Sequence, residues 1–535
     1  MAMAEKQPLL PSGGDNEGPK QRAHRQHDEY ERAYEESEQI NTTQFDDGEV
    51  DLEGRQPHLP KFSWKKLWLF TGPGFLMSIA YLDPGNIESD IQAGAGAGYN
   101  LLWLLLWATV MGLLIQLLSA RLGVATGCHM AELCREEYPP WARYLLWLMT
   151  EVAIIGADIQ EVIGSAIAFR ILSNGYIPLW AGVLITGVDG FLFLSLETFG
   201  VRKLEALFGV FIGVMAISFA WMFGLAQPSS KEIARGMLIP YVPSNSVDIA
   251  VGIVGCVIMP HNIFLHSALV QSRSIDKSKE STVRDALRYY TIESGLALFI
   301  SFSINLFIMA VFAKGFYVPG GDRQDIGIMN AGDYLQNEYG GGYFPILYIW
   351  AIGLLMAGQS STMTGTYTGQ FVMAGFLEIR VKKWLRVLVT RSVAIVPTVI
   401  VALIFDEAGN NLDRMNEWLN VLQSVQLPFA LIPLLCLVST ERVMGPFTIG
   451  RLTKIITSLI ALLVLAINFY LLSDFFLSEN VPGLAIYIIL GIAAILYVGF
   501  IVYLALQPSQ DDGLWARLVK DSSKARSSGS GHLLQ

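Results

Sequence analysis

Twelve apolar windows succeed one another along the chain, at roughly 68–95, 99–123, 141–169, 177–196, 203–226, 247–272, 289–316, 342–375, 383–405, 416–439, 451–474 and 483–506. Each is near or above the roughly 20 residues a helix needs to cross a bilayer. The pattern predicts an all-α polytopic membrane protein of twelve transmembrane helices. Residues 1–60 lack the pattern and are rich in Glu, Gln, Gly and Pro, as expected of a disordered cytosolic tail. Residues 61–506 form the transmembrane domain, and the Ser-, Gly- and Lys-rich 507–535 a flexible cytosolic C-terminal tail.

Two windows are interrupted near their middles, the first by Asp83-Pro84-Gly85-Asn86 and the sixth by Met259-Pro260-His261-Asn262. Proline removes a helical hydrogen bond and clashes with the preceding turn. A carboxylate near the bilayer centre costs at least roughly 3 kcal/mol unless it is paired. Breaks in spans one and six place them at matching positions of two five-span halves, spans 1–5 and 6–10. An odd number of spans per half inverts the second relative to the first, the LeuT-type arrangement, with broken helices meeting at a midplane site. Spans eleven and twelve are then peripheral.

Composition and charge sharpen this picture. Hydrophobic residues make up 52% of the 535 and charged ones only 16%, against about a quarter charged in soluble proteins. The net charge of −10 is concentrated at one end: residues 1–58 hold fourteen acids and six Lys or Arg, a balance of −8. In the loops, twenty Lys and Arg fall on the side of the N-terminal tail and six on the other, so both termini are expected in the cytosol. No signal peptide precedes the first apolar stretch near Leu67. Cys128, Cys134, Cys256 and Cys436 form no CxxC pair and are expected to be free.

At the breaks, Asp83 offers a charged oxygen and Asn86, three residues on, a neutral one, while Met259 offers a thioether sulfur. Unwinding also frees carbonyls just before the prolines, near Ala80 and Cys256. Oxygen with one soft sulfur suits a divalent transition metal, and the sulfur penalises Ca²⁺, which takes oxygen alone. A methionine is more often core filler, and Asp83 could simply cap the following half-helix. Capping and ligation are compatible, and a membrane-buried carboxylate still argues for function. Span three carries Glu151, Asp158 and Glu161. Asp158 and Glu161, three apart, share a helix face; carboxylates in series inside a membrane are the pattern of a proton relay. Arg391 in span nine is their natural charge partner. His266 lies off the face of His261 and suits a hydrogen-bonded core histidine equally well. Glu151 is as readily interfacial.

These motifs resemble the NRAMP family of proton-coupled divalent metal transporters. The resemblance runs from about Phe62 to Leu506, through Gly72-Pro73-Gly74, the two break motifs, and Gly358-Gln359-Ser360-Ser361-Thr362 with Gly365. Plant vacuolar members are most similar, on Phe62-Ser63-Trp64-Lys65-Lys66-Leu67-Trp68, the run from Leu118 to Gly127, and Tyr339-Gly340-Gly341-Gly342. The resemblance implies that the side chains of Asp83, Asn86 and Met259 and the carbonyls of Ala80 and Cys256 hold the metal. Some relatives have alanine where Cys256 stands, which leaves the carbonyl role intact. Asn420 is the counterpart of a span-ten residue that approaches the metal. Asp158, Glu161, His261 and Arg391, with His266, fall on the implied proton pathway. The function so implied is proton-coupled transport of Fe²⁺ or Mn²⁺ toward the cytosol, out of the vacuole, with no resident cofactor and no nucleic-acid partner.

Glu5-Lys6-Gln7-Pro8-Leu9-Leu10 fits an acidic dileucine signal, with Glu5 four residues before Leu9 and Leu10. Such an address is read by sorting adaptors, and it favours the vacuolar membrane, with the plasma membrane the other address. The sequon at Asn41 is expected to be unused on a cytosolic tail. A sodium-coupled solute carrier of the same architecture would not need Asp83 and Met259 together. A receptor built on such a domain would carry a long soluble C-terminal part. No HExxH, nucleophile elbow or phosphate loop marks an enzyme.

Overall fold

The structure is a computed structural model that describes residues 40–41, 61–197, 201–244, 246–277, 279–319, 326–340, 346–377, 383–405, 409–478 and 484–507. Helices occupy each of the twelve expected windows. Span one comes in three pieces, Trp64–Phe70, Pro73–Ile79 and Pro84–Ala97. Span six comes in two, Val247–Val257 and Pro260–Leu269. The others are Leu102–Thr126, Pro140–Leu172, Leu179–Glu197, Val201–Ala226, Glu280–Phe316, Ile346–Leu377, Lys383–Phe405, Gly409–Val438, Arg451–Ser478 and Leu484–Leu506.

Among the described residues, eight helical stretches are long and apolar enough to cross a membrane on those grounds alone. One of these, Pro84–Thr126, has 43 residues and would be twice the bilayer thickness if straight. It turns back at Gly98, whose φ of 63° only glycine adopts readily, so it supplies the outer half of span one and all of span two.

Spans three and six bury 78% of their most apolar window inside the protein, whereas span eleven buries 28%. Leu452, Leu459 and Leu462 on that helix face outward. Span eleven therefore lies at the periphery, where lipid covers what water could not.

The two breaks are built alike. Asp83 (ψ 163°) and Met259 (ψ 134°) are both extended N-caps, each followed by proline at the first helical position, where its missing N–H is no loss. The two halves of span six pack along the two halves of span one, and Ala80 and Met77 cluster with Leu265 across that contact.

On the basic side of the membrane, the entry to span one is pinned from three directions. Arg273, after span six, donates from Nε to the Leu69 carbonyl (2.9 Å) and from Nη2 to the Thr71 carbonyl (2.7 Å) and Glu205 Oε1 (2.8 Å). Glu293 of span seven accepts the N–H groups of Gly72 (2.5 Å) and Gly74 (2.9 Å). Gly72 has a φ of 147°, and a Cβ there would stand 2.1 Å from Glu205 Oε1 and 2.6 Å from Arg273 Nη2. The glycine permits both the turn and the close approach. Beside this knot the tail residues Ile40 and Asn41 pair in parallel with Arg273 and Ser274.

Candidate transport site

Where span one unwinds, several of the freed polar groups find partners. The Ser78 carbonyl accepts from Ser301 Oγ and the Tyr81 carbonyl from Asn305 Nδ2, both at 2.8 Å, so span seven satisfies two of them. Proline at 84 and at 260 supplies no N–H to the carbonyl four residues back, and those carbonyls belong to Ala80 and Cys256. Asp83 caps the outer half-helix: its Oδ1 accepts the Asn86 main-chain N–H at 3.0 Å and a short bond from Asn86 Nδ2. Capping thus occupies one oxygen of Asp83 and the amide nitrogen of Asn86. The other atoms, Asp83 Oδ2 and Asn86 Oδ1, are buried and without a hydrogen-bond partner, on residues each 1% exposed.

Leaving a buried acceptor unsatisfied costs about 1–3 kcal/mol, more for a charged one. Two such oxygens lie on one turn, and Met259 is buried at the second break. Among the described residues no three His, Cys, Asp or Glu group as a metal-holding cluster. A cavity of about 370 Å³ lies elsewhere, lined by Gly127, Val270, Arg273 and Lys277 on the basic side.

The other sequence-predicted residues whose side chains are described are all buried. Asn420 is buried on span ten, its Oδ1 accepting from Gln160 Nε2 at 2.9 Å. Asp158 and Glu161 are each 2% exposed and point at Gly365 of span eight. A Cβ on that glycine would lie 2.6 Å from Asp158 Oδ1 and 3.4 Å from Glu161 Oε2. A Cβ on Gly358, two turns earlier on the same helix face, would lie 2.9 Å from the Glu161 carbonyl. The small residues of the Gly358–Gly365 stretch therefore let span eight close on the carboxylates of span three.

His261 is buried on the inner half of span six with its Nδ1 unpartnered. His266 is engaged with Gln116 Oε1 of span two at 3.0 Å through Nδ1, the hydrogen-bonded core position that its sequence also allowed. Glu151 accepts from Trp147 Nε1 at 3.0 Å. Arg391 stands on the span-nine helix, but its side chain lies outside the described residues, as do Glu5, Leu9 and Leu10. Sequence reasoning missed Gln160, which neighbours Asp158 and Glu161 yet reaches span ten, and Arg273 and Glu293, which hold span one. A glutamine between two acids carries no sequence signal of its own; Gly72, conspicuous beside Pro73, was the available hint of the second pair.

A family model described as natural resistance-associated macrophage protein-like matches residues 74–474. The chain belongs to the Nramp family. Within this family, Metal transporter Nramp4 of Arabidopsis thaliana is 63% identical over 89% of this chain and 92% of its own length. Metal transporter Nramp3.2 of Populus trichocarpa is 64% identical over 89% and 94%. The Nramp fold extends to a solved structure, the Eremococcus coleocola manganese transporter, at 30% identity over 85% of this chain and 97% of that one, with a TM-score of 0.75. Mhp1, a nucleobase-cation-symport-1 family transporter, matches at 15% identity with a TM-score of 0.51, a likeness of fold alone.

Proposed function

We propose that this Nramp protein carries divalent transition metal ions, Fe²⁺ and Mn²⁺ among them, across a membrane toward the cytosol, with protons moving alongside. The observation that carries the proposal is the pair of buried oxygens without partners, Asp83 Oδ2 and Asn86 Oδ1, on a broken span that packs against the broken span of Met259 and Cys256. The names of the plant relatives, metal transporters, and of the solved manganese transporter agree with it.

The steps follow from the residues. A dication exchanges part of its water shell for Asp83, Asn86, Met259 and the carbonyls of Ala80 and Cys256. Metal competes with a proton at Asp83, because a carboxylate must be deprotonated to ligate. The displaced proton, or one entering by His261, passes to Asp158 and Glu161 on span three, with Arg391 stabilising their charge. The half-helices of spans one and six then rock, Arg273 and Glu293 release the entry of span one, and the metal leaves on the basic side. The excess of Lys and Arg on that side makes it the cytosolic one, and the dileucine pattern of the tail favours the vacuolar membrane.

Purified protein in proteoliposomes tests this with a panel of Mn²⁺, Fe²⁺, Co²⁺, Cd²⁺, Zn²⁺ and Ca²⁺ under an imposed pH gradient. Saturable Mn²⁺ and Fe²⁺ uptake, faster when the outer side is acidic, is expected. Silence toward every transition metal would reject the transport reading, and uptake indifferent to the gradient would remove only the protons.

A further inference from the structure

Gln160 stands between Asp158 and Glu161 on span three and is fully buried. Its Nε2 donates to two acceptors, the main-chain carbonyl of Asn416 at 3.0 Å and the side-chain Oδ1 of Asn420 at 2.9 Å. Its Oε1 accepts from Gln423 Nε2 at 2.6 Å. These bonds admit only one set of amide orientations. A main-chain carbonyl can only accept, so Gln160 must turn its NH₂ toward Asn416. The atom of Asn420 that meets the same NH₂ must then be its oxygen, and the atom of Gln423 that meets Gln160 Oε1 must be its nitrogen. A single backbone oxygen therefore fixes three side-chain amides.

The Gln160 side chain also touches the metal-binding break. A Cβ on Gly85, within Asp83-Pro84-Gly85-Asn86, would lie 2.9 Å from Gln160 Oε1 and 3.0 Å from its Nε2. That is closer than side-chain carbons normally approach, so the absence of a side chain at 85 is what admits the amide there. Gln160 thus meets the unwound segment of span one on one side and the amide of Asn420 on the other. It belongs to the same helical turn as the two carboxylates assigned to the proton route.

We propose that Gln160 is a positioning residue, fixing the Asn420 side-chain oxygen for the metal and tying the span that carries Asp158 and Glu161 to the metal site. The inference rests on the metal-transport reading. An amide oxygen has two lone pairs; one accepts from Gln160 and the other is available to the dication. Without Gln160 the Asn420 amide loses the donor that holds its oxygen in place, and the ion must order that side chain on binding. Span three cannot shift on changing protonation without moving this amide.

The test is a double-mutant cycle in Mn²⁺ uptake by proteoliposomes, using Gln160→Leu, Asn420→Ala and the pair. Gln160→Leu is expected to raise KM for Mn²⁺ about tenfold, the lower end of what removing a partner of a metal ligand costs, with the rate at saturating Mn²⁺ within about twofold of wild type. Asn420→Ala should raise KM by a similar factor. The double variant should be no worse than either single, since residues acting through one another are not additive. KM effects that multiply, or a Gln160→Leu variant that loses rate at unchanged KM, would overturn the proposal and leave Gln160 a helix-packing residue. Should the leucine variant not fold, Gln423→Leu removes the donor that steadies Gln160. Its KM should rise about twofold in the wild-type background and not at all with Asn420→Ala, and an equal rise in both would overturn the proposal. Failure of wild-type protein to take up Mn²⁺ instead strikes the transport reading itself, so the two failures are distinguishable.

Discussion

At the scale of the residue, the chemistry depends on which atoms are already engaged. Asp83 uses one oxygen in capping and keeps the other buried and unpartnered, so one side chain starts a half-helix and still has a free acceptor for the proposed ion. Met259 caps its own half-helix without any side-chain hydrogen bond, which leaves its sulfur uncommitted. Met259→Ala is expected to keep Mn²⁺ uptake while letting Ca²⁺ inhibit it at roughly tenfold lower concentration, because only the soft donor disfavours the hard ion. Competition uptake measures this, and normal Mn²⁺ transport with Ca²⁺ still excluded would sink the selectivity role. Gly365→Ala places a methyl 2.6 Å from Asp158 Oδ1. It should change the pH dependence of uptake more than the KM for metal. An unaltered pH profile in a well-expressed variant would separate Asp158 from the proton route.

At the scale of the element, spans one and six are half-helices held by their neighbours and not by continuity. Ser301 and Asn305 of span seven satisfy the carbonyls of the first break, and Arg273 with Glu205 and Glu293 holds the entry of span one. Removing one partner of a buried ion pair costs about 3–5 kcal/mol. Arg273→Ala should therefore free the Pro73–Ile79 half-helix. A cysteine introduced at Phe75 should react with a membrane-impermeant thiol reagent on the basic side at least about fivefold faster in the Arg273→Ala background, an effect of about 1 kcal/mol in exposure. Equal rates would show that the half-helix is held by packing alone.

At the scale of the whole molecule, spans two, three, five, seven, eight and ten pack on the broken helices, and the last two pack chiefly on span ten. Span eleven, 28% buried in its most apolar window, mainly meets lipid, so its outward leucines should tolerate apolar exchange with little effect on uptake. The tail contributes charge, and its dileucine is proposed as the address. Leu9→Ala with Leu10→Ala is expected to move a fluorescent fusion from the vacuolar to the plasma membrane without changing uptake in proteoliposomes. An unchanged distribution in plant cells would remove those residues from sorting.

The amino-acid sequence by itself determined the features that are local along the chain. Hydrophobic windows give the spans because backbone groups in lipid must be satisfied within the segment. Prolines at 84 and 260 give the breaks, and with them the freed carbonyls of Ala80 and Cys256, because the missing N–H acts at a fixed spacing. The types of donor proposed for the site, oxygen and one sulfur, come from the same tetrapeptides. Tertiary structure alone decided how these pieces are held. Gln160 meets Asn420 across 260 positions and Arg273 meets Leu69 across 204. Such bonds depend on which helix faces touch and how closely small residues such as Gly72, Gly85 and Gly365 let them approach, and side-chain periodicity does not encode either.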